Sequence, residues 1–272
     1  MGEYTYACSD FKFKKGLVSA TKTSGHTLQI ADGLWLDKKF KAAMMKSIAQ
    51  SELDRKRFVY SDIGFILLQQ VVEAVTGKTL DAYLVSEFYR PMGLEHTLFQ
   101  PLNRYKKADI MPTAANDYLR RQDLCGYVHD EAAAFMGGVS GNAGLFSTAQ
   151  ELGKIYQMIL NEGELDGKRY LRPETCRIFT TEKSAVSHRG LGYDKPNLKD
   201  PKANACASSA PASVYGHTGF TGTCAWVDPE NDLVYIFLSN RLCPDAWNGK
   251  LNSMKIRQAV QEVIYQSLYT PE

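Results

Sequence analysis

Apolar residues recur along this chain with two periods, and each period marks a different kind of element. Between Leu34 and Leu53 the apolar positions Phe40, Met44, Met45 and Ile48 fall at helical spacing, which predicts one amphipathic helix. Residues 1–33 show no clear period and are rich in Lys, Gly, Ser and Thr, so irregular structure is expected there. Phe58 to Tyr60 reads as a short extended piece and Ser61 as a helix N-cap. Ile63, Ile66, Leu67, Val71, Val72 and Val75 then predict a buried helix that Gly77 is placed to end. A further helix runs from about Leu80 to Tyr89, stopped by Pro91 and Gly93.

Beyond the middle of the chain the period changes. Ser147 with Gln150 forms a capping-box pattern opening a helix to about Asn161. Residues 195–213, "KPNLKDPKANACASSAPAS", are polar and contain proline, and are expected to form a surface loop. "TCAWV" and "LVYIFLSN" are rich in strand-forming residues, and Asp228, Pro229, Glu230 and Asn231 turn between them. A helix from about Leu251 to Leu268 closes the chain. Helices between clustered antiparallel strands predict an α+β fold, an antiparallel sheet flanked by helices. At 272 residues and 44% hydrophobic, residues 1–272 read as one domain with a substantial core.

Charge and cysteine usage narrow the function by exclusion. There are 32 basic and 30 acidic residues, and the longest basic runs, such as "FKFKK" at 11–15, are short and have no stacking motif beside them, so a nucleic-acid partner is not expected. No apolar run approaches the roughly 18 residues needed to cross a bilayer, and the opening "MGEYTYACSDFKFKK" has no apolar signal core, so no membrane partner is expected. The six cysteines, Cys8, Cys125, Cys176, Cys206, Cys224 and Cys243, contain no C-x-x-C pair, and Cys224 reads as buried packing. Metal ligation is not expected. Gly137, Gly138, Gly141 and Gly144 match neither nucleotide-binding glycine pattern, so no cofactor is expected either.

Two constellations carry candidate chemistry. Tyr60-Ser61-Asp62 stands at the entrance to an apolar helix, where a phenol can move a proton in a cleft. His217-Thr218-Gly219 stands on a strand edge, where glycine admits a substrate backbone and the neighbouring side chains donate hydrogen bonds to a carboxylate or carbonyl. His129-Asp130-Glu131 is expected to be a hydrogen-bonded structural group, because adjacent residues do not converge on one ligand.

Taken in order, "YSDIGF", "VTGKTLDAYL", "RPMGL", "GNAGLFSTAQEL", "RGLGYD" and "GHTGFTGTCAWVDPENDLVYIFLSNR" resemble the serine beta-lactamase-like and penicillin-binding family. The likeness is to its class C-like branch, above all to members fused behind a family-three beta-N-acetylhexosaminidase domain. It runs from about Thr27 to the C-terminus. The resemblance implies a transpeptidase-like fold with a serine acyl-transfer site where a helical lobe meets an antiparallel sheet. Tyr60 matches the proton-shuttling tyrosine, and Asp62 the position where the family more often has asparagine. His217, Thr218 and Gly219 match the third motif, more often Lys-Thr-Gly, and with Phe220 they would bind substrate. A histidine there is a weaker anion anchor than lysine at neutral pH, which argues against a dedicated beta-lactamase. His188 and Arg189, ahead of "GLGYD", are expected to border the cleft.

The family's first motif, S-x-x-K at the head of a buried helix, is where the chain departs. Ser19 and Lys22 have the letters, but "TSGHTLQIADG" after them offers neither helix propensity nor an apolar stripe. The pair reads as a chance match on a loop, and the fold as lacking its N-terminal part and its nucleophile. The resemblance thus implies a serine hydrolase-type domain for D-amino peptides, esters or peptidoglycan-derived substrates, inactive as this chain. The alternative is a non-catalytic module that binds cell-wall peptide or supports a fused glycosidase. A missing N-terminal segment or that glycosidase would be its partner, and a periplasmic or secreted setting is what the family implies.

Overall fold

The computed structural model describes residues 12–52 and 58–269; Cys8 and Leu53 lie outside them. The chain divides into two units, the first Met1–Pro91, Glu95–Phe146 and Leu242–Ala246, the second Met92–Leu94, Ser147–Arg241 and Trp247–Glu272.

The first unit opens with an antiparallel sheet of β1 (Val18–Ser19), β2 (His26–Ala31) and β3 (Leu34–Asp37), in the order β1-β3-β2. This corrects two expectations: residues before Leu34 are not all irregular, and Leu34–Asp37 is strand rather than helix. Two register shifts between β2 and β3, at His26/Leu28 and Gln29/Ala31, break the alternation that would have revealed the strands. Ile30 and Leu36 point inward, both buried, against Val128, Ala133 and Ala134. Each such side chain contributes about 1.5–3 kcal/mol over remaining in water.

Helix α1 (Phe40–Ala49) occupies only the middle of its predicted span and buries none of its residues fully. Helix α2 (Ile63–Thr76) lies where expected, and Gly77 ends it at φ 66° with its N–H on Glu73 O at 3.0 Å. Its burial differs from expectation. Only Ile66 and Gln69 are buried, whereas Leu67, Leu68, Val71 and Val75 are exposed, Val75 to 81%. Helix α3 (Leu80–Leu84) continues as a π-helical turn over Val85–Tyr89. Then come β4 (Leu98–Phe99), β5 (Pro112–Ala114), β6 (Leu124–Cys125), α4 (Glu131–Phe135) and β7 (Leu145–Phe146). They pair as β4 with β7 and β5 with β6. Leu242 returns to this unit, packing with Ala31, Ala114 and Leu124.

In the second unit α5 (Ala149–Leu160) is capped by Thr148, whose side-chain oxygen accepts the Glu151 N–H at 3.3 Å. The cap therefore lies one residue beyond the predicted Ser147, because Thr148-x-x-Glu151 satisfies the same pattern. The hairpin β8 (Glu164–Leu165) and β9 (Lys168–Arg169) leads to α6 (Pro173–Thr181). The main sheet is β10 (Tyr215–Thr218), β11 (Cys224–Asp228) and β12 (Leu233–Phe237), antiparallel in that order. The closing helix is split into α7 (Lys250–Ser253) and α8 (Ile256–Tyr269), with Lys255 at φ 50° between them.

The expected surface loop at 195–213 is irregular and exposed over 198–201, but part of it enters the core. Cys206, Ala207 and Ala210 pack with Val214, Cys224, Trp226, Tyr235 and Tyr265, and the Ala207 N–H bonds Gln261 Oε1 at 2.9 Å. Small side chains let this backbone lie close to α8, and the orphan amide finds a buried side-chain acceptor.

Candidate active site

In the first unit the candidate residues stand at the start of α2. The Tyr60 side chain is exposed, Asp62 is half-buried at the N-cap, and the Ile63 N–H bonds Ser61 Oγ at 3.3 Å. A carboxylate at a helix start is favoured by the N-terminal dipole, which stabilises the ionised form of Asp62 there. The helix behind them is fixed to the loop at 139–142. Gln69 Oε1 accepts the Gly141 N–H at 3.1 Å, and Gln69 Nε2 donates to Val139 O at 3.3 Å and to Glu73 at 3.0 Å. A Cβ on Gly141 would lie 2.1 Å from Phe65 O, so only glycine lets this loop reach the helix backbone. Phe65, Leu68, Val72, Phe99 and Leu145 line an apolar cavity of about 360 Å³ beside that contact.

Ser19 and Lys22 lie elsewhere in the same unit. Ser19 is on β1 opposite Trp35, its Oγ accepting the Thr21 N–H at 3.3 Å, and Lys22 Nζ sits 5.6 Å from the Trp35 ring centre. The ammonium rests on indole rather than on the hydroxyl, and neither residue is on a helix. Asp130 caps α4 through the Ala133 N–H at 2.7 Å and accepts Asn142 Nδ2 at 3.0 Å, a structural part for that acid. Among the described residues no three His, Cys, Asp or Glu side chains converge as a metal site.

In the second unit His217 and Thr218 end β10, paired with Ala225 and Cys224 of β11. The chain then turns tightly, Gly219 N–H to Thr223 O at 2.7 Å and Gly222 N–H to Gly219 O at 3.0 Å. Arg257 on α8 clasps this turn through Thr223 O at 2.9 Å and Gly219 O at 3.4 Å. Phe220 projects from it, 51% exposed, with the Arg241 guanidinium 4.6 Å from its ring centre and Arg241 Nε on Phe220 O at 2.8 Å. The outer edge of β10 meets residue 194 in one bridge, with Asp194 and Gly216 exchanging N–H and C=O at 2.7 and 3.1 Å.

Around that bridge lies a network that sequence spacing does not reveal. Asp194, buried, accepts His188 Nε2 at 2.9 Å and Arg189 Nη2 at 3.3 Å, and Arg189 Nη1 lies 3.0 Å from His217 Nε2. His217 Nδ1 lies 2.6 Å from Thr218 O. The structure thus gathers His217, Thr218, Gly219 and Phe220 with Arg189, and separately Tyr60 with Asp62.

Residues 20–257 match the family model described as Beta-lactamase. The chain belongs to the beta-lactamase family. A relative in this family from Escherichia coli strain K12, named as a D-alanyl-D-alanine carboxypeptidase, is 38% identical over 197 residues, covering 68% of this chain and 45% of the relative. One of the same name from Salmonella gallinarum is 32% identical over 227 residues, covering 78% and 52%. The chain spans about half the length of these curated relatives. Among solved structures, a beta-lactamase from Mycobacterium bovis superposes with TM-score 0.51 at 19% identity, over 78% of this chain and 65% of that one. Unliganded simvastatin synthase from Aspergillus terreus gives 0.53 at 15%, over 85% and 61%. These likenesses establish the beta-lactamase/transpeptidase-like α+β fold expected from the sequence.

Proposed function

We propose that this beta-lactamase-family chain carries the substrate-binding and proton-transfer parts of a serine acyl-transfer site for short D-amino peptides or esters of peptidoglycan type. The observation that supports it most is His217-Thr218-Gly219 at the end of β10, a strand whose outer edge is bridged to Asp194 at Gly216. A substrate's carboxylate or carbonyl can approach the end of that strand, where Thr218 offers a hydroxyl donor and Gly219 a close backbone approach. In this reading the serine hydroxyl adds to the acyl carbon, its proton passes through the Tyr60 phenol to the departing amine or alcohol, and Asp62 holds the ammonium of the partnering lysine. Ser19 and Lys22 lie off any helix, so in this reading they are not the attacking serine and its lysine. As it stands the chain binds without turning over.

The test uses the purified chain. Fluorescent penicillin and a fluorophosphonate probe leave it unlabelled, while N-acetyl-D-alanyl-D-alanine binds saturably without release of D-alanine. Labelling that Ser19→Ala abolishes would show that Ser19 is the nucleophile after all and overturn this reading.

A further inference from the structure

We propose that the outer face of α2 is an interface for a second copy of this chain, a two-fold dimer in which the α2 helices pack antiparallel about Val71. The helix is turned inside out. Its polar residues Gln69 and Glu73 serve the inner side: Gln69 holds the 139–142 loop, and Glu73 accepts the Leu80 N–H at 3.1 Å. Its outward residues are Gly64, Leu67, Leu68, Val71, Ala74 and Val75, all exposed and none with a polar side chain. A surface helix ordinarily carries the opposite arrangement, and a contiguous apolar patch marks a contact.

The size of the patch suits a second copy. With Leu145, 41% exposed at the margin of the cavity that Leu68 also lines, these residues present on the order of 500 Å² of surface, near the upper end for a monomer. At the roughly 65% apolar share of homodimer interfaces, that is the core of a contact of about 800 Å² per partner, the size a stable pair buries. Its shape is self-complementary. Leu67, Val71 and Val75 form an i, i+4, i+8 ridge, and beside it on the same helix Phe65, Leu68 and Val72 line the apolar cavity of about 360 Å³. An isologous contact needs ridge and hollow on one surface, so that each copy fills the other, and i±4 ridges interleave at a crossing of about −50°. With the axis at Val71, Leu67 of one copy meets Val75 of the other, and Val71 meets itself. No charge on the stripe opposes its own image, and Lys78, just past the end of α2, is paired with Glu87 at 2.8 Å. A helix lying on a membrane carries Lys and Arg along its polar face, whereas α2 has neither.

The contact forms without substrate and is independent of the acyl-transfer reading. Sedimentation equilibrium of the whole chain is expected to show monomer and dimer exchanging with a Kd in the micromolar range. Val71→Lys sets two ammonium groups against each other on the axis and is expected to weaken the dimer at least about tenfold. The dilute variant keeps its thermal transition, because position 71 is 56% exposed in the monomer. Val71→Asp behaves alike, and a one-to-one mixture of the two variants recovers a heterodimer that neither forms alone, a rescue that misfolding would not allow. A wild type that stays monomeric up to about 100 µM overturns the proposal, and flotation with phosphatidylcholine vesicles would then assign the face to lipid. A dimer that survives both substitutions overturns it as well, since the contact then lies elsewhere, and so does a mixture of the variants that stays monomeric.

Discussion

Asp117 and Arg120 show what a buried ion pair asks of its surroundings. Both side chains are essentially inaccessible, and Arg120 bonds Asp117 twice, at 2.8 and 2.7 Å, and Val128 O at 2.9 Å. Burial pushes the Asp117 carboxyl up, but the Arg120 hydrogen bonds and charge outweigh it and hold the acid below its ordinary range. Its folded pKa is depressed, so its stabilisation is present above the unfolded carboxylate pKa and is lost as pH falls through the folded one. Asp117→Ala is expected to cost about 3–5 kcal/mol in urea unfolding at pH 7, because it strands the guanidinium. Lys107→Ala, which removes the exposed pair with Asp32, is expected to cost under about 1 kcal/mol. Lys195 runs the other way: burial, with the Lys183 charge adding to it, pulls its ammonium down to about 8. A cation with a depressed folded pKa opposes folding below that pH, and the opposition fades as pH rises from about 8 toward 10. Lys195→Met is therefore expected to flatten that rise in urea unfolding, with the lost Lys195 Nζ bond to Thr180 O offsetting part of the gain at pH 7. The candidates Tyr60, Asp62 and His217 could be named from the sequence by their resemblance to motif letters. Arg189 could not be tied to His217, because 28 positions separate them and no pattern links the two.

At the level of elements, β10 is the most demanding. A Cβ on Gly216 would lie 2.1 Å from Ala225 O and 2.8 Å from Trp226 Cα, both backbone atoms of its ladder partner strand. On Gly219 the obstacle is Thr223 Oγ1, also at 2.1 Å, but a hydroxyl can rotate away. Gly216→Ala is thus expected to cost about 3 kcal/mol or more and Gly219→Ala about 1 kcal/mol, measured by chemical denaturation. Helix α2 divides in the same manner. Ile66→Ala is expected to cost about 2–5 kcal/mol, whereas Val71→Ser and Val75→Ser stay within about 0.5 kcal/mol. The sequence revealed where α2 begins and ends, since Gly77 is an unambiguous stop, and it revealed the β11–β12 hairpin from its turn residues. It did not reveal which apolar side chains of α2 are covered, because periodicity states what a helix can bury and not what it meets. The strands β2 and β3 were hidden by their bulges, and the core positions Cys206, Ala207 and Ala210 by the small and polar residues around them, which read as loop.

For the whole molecule, the order of the chain matters as much as its contacts. Leu242 is 2% exposed in the first unit's core, and its carbonyl takes the Ala115 N–H at 2.9 Å, yet the residues on either side of Leu242–Ala246 belong to the second unit. Met92–Leu94 makes the reverse excursion. A break in the gene between Phe146 and Ser147 would therefore separate each unit from a segment of its own, Leu242–Ala246 from the first and Met92–Leu94 from the second. Expressed separately, residues 12–146 and 147–269 are expected to show no cooperative thermal transition, while adding 242–246 to the front piece by a short linker should recover part of it.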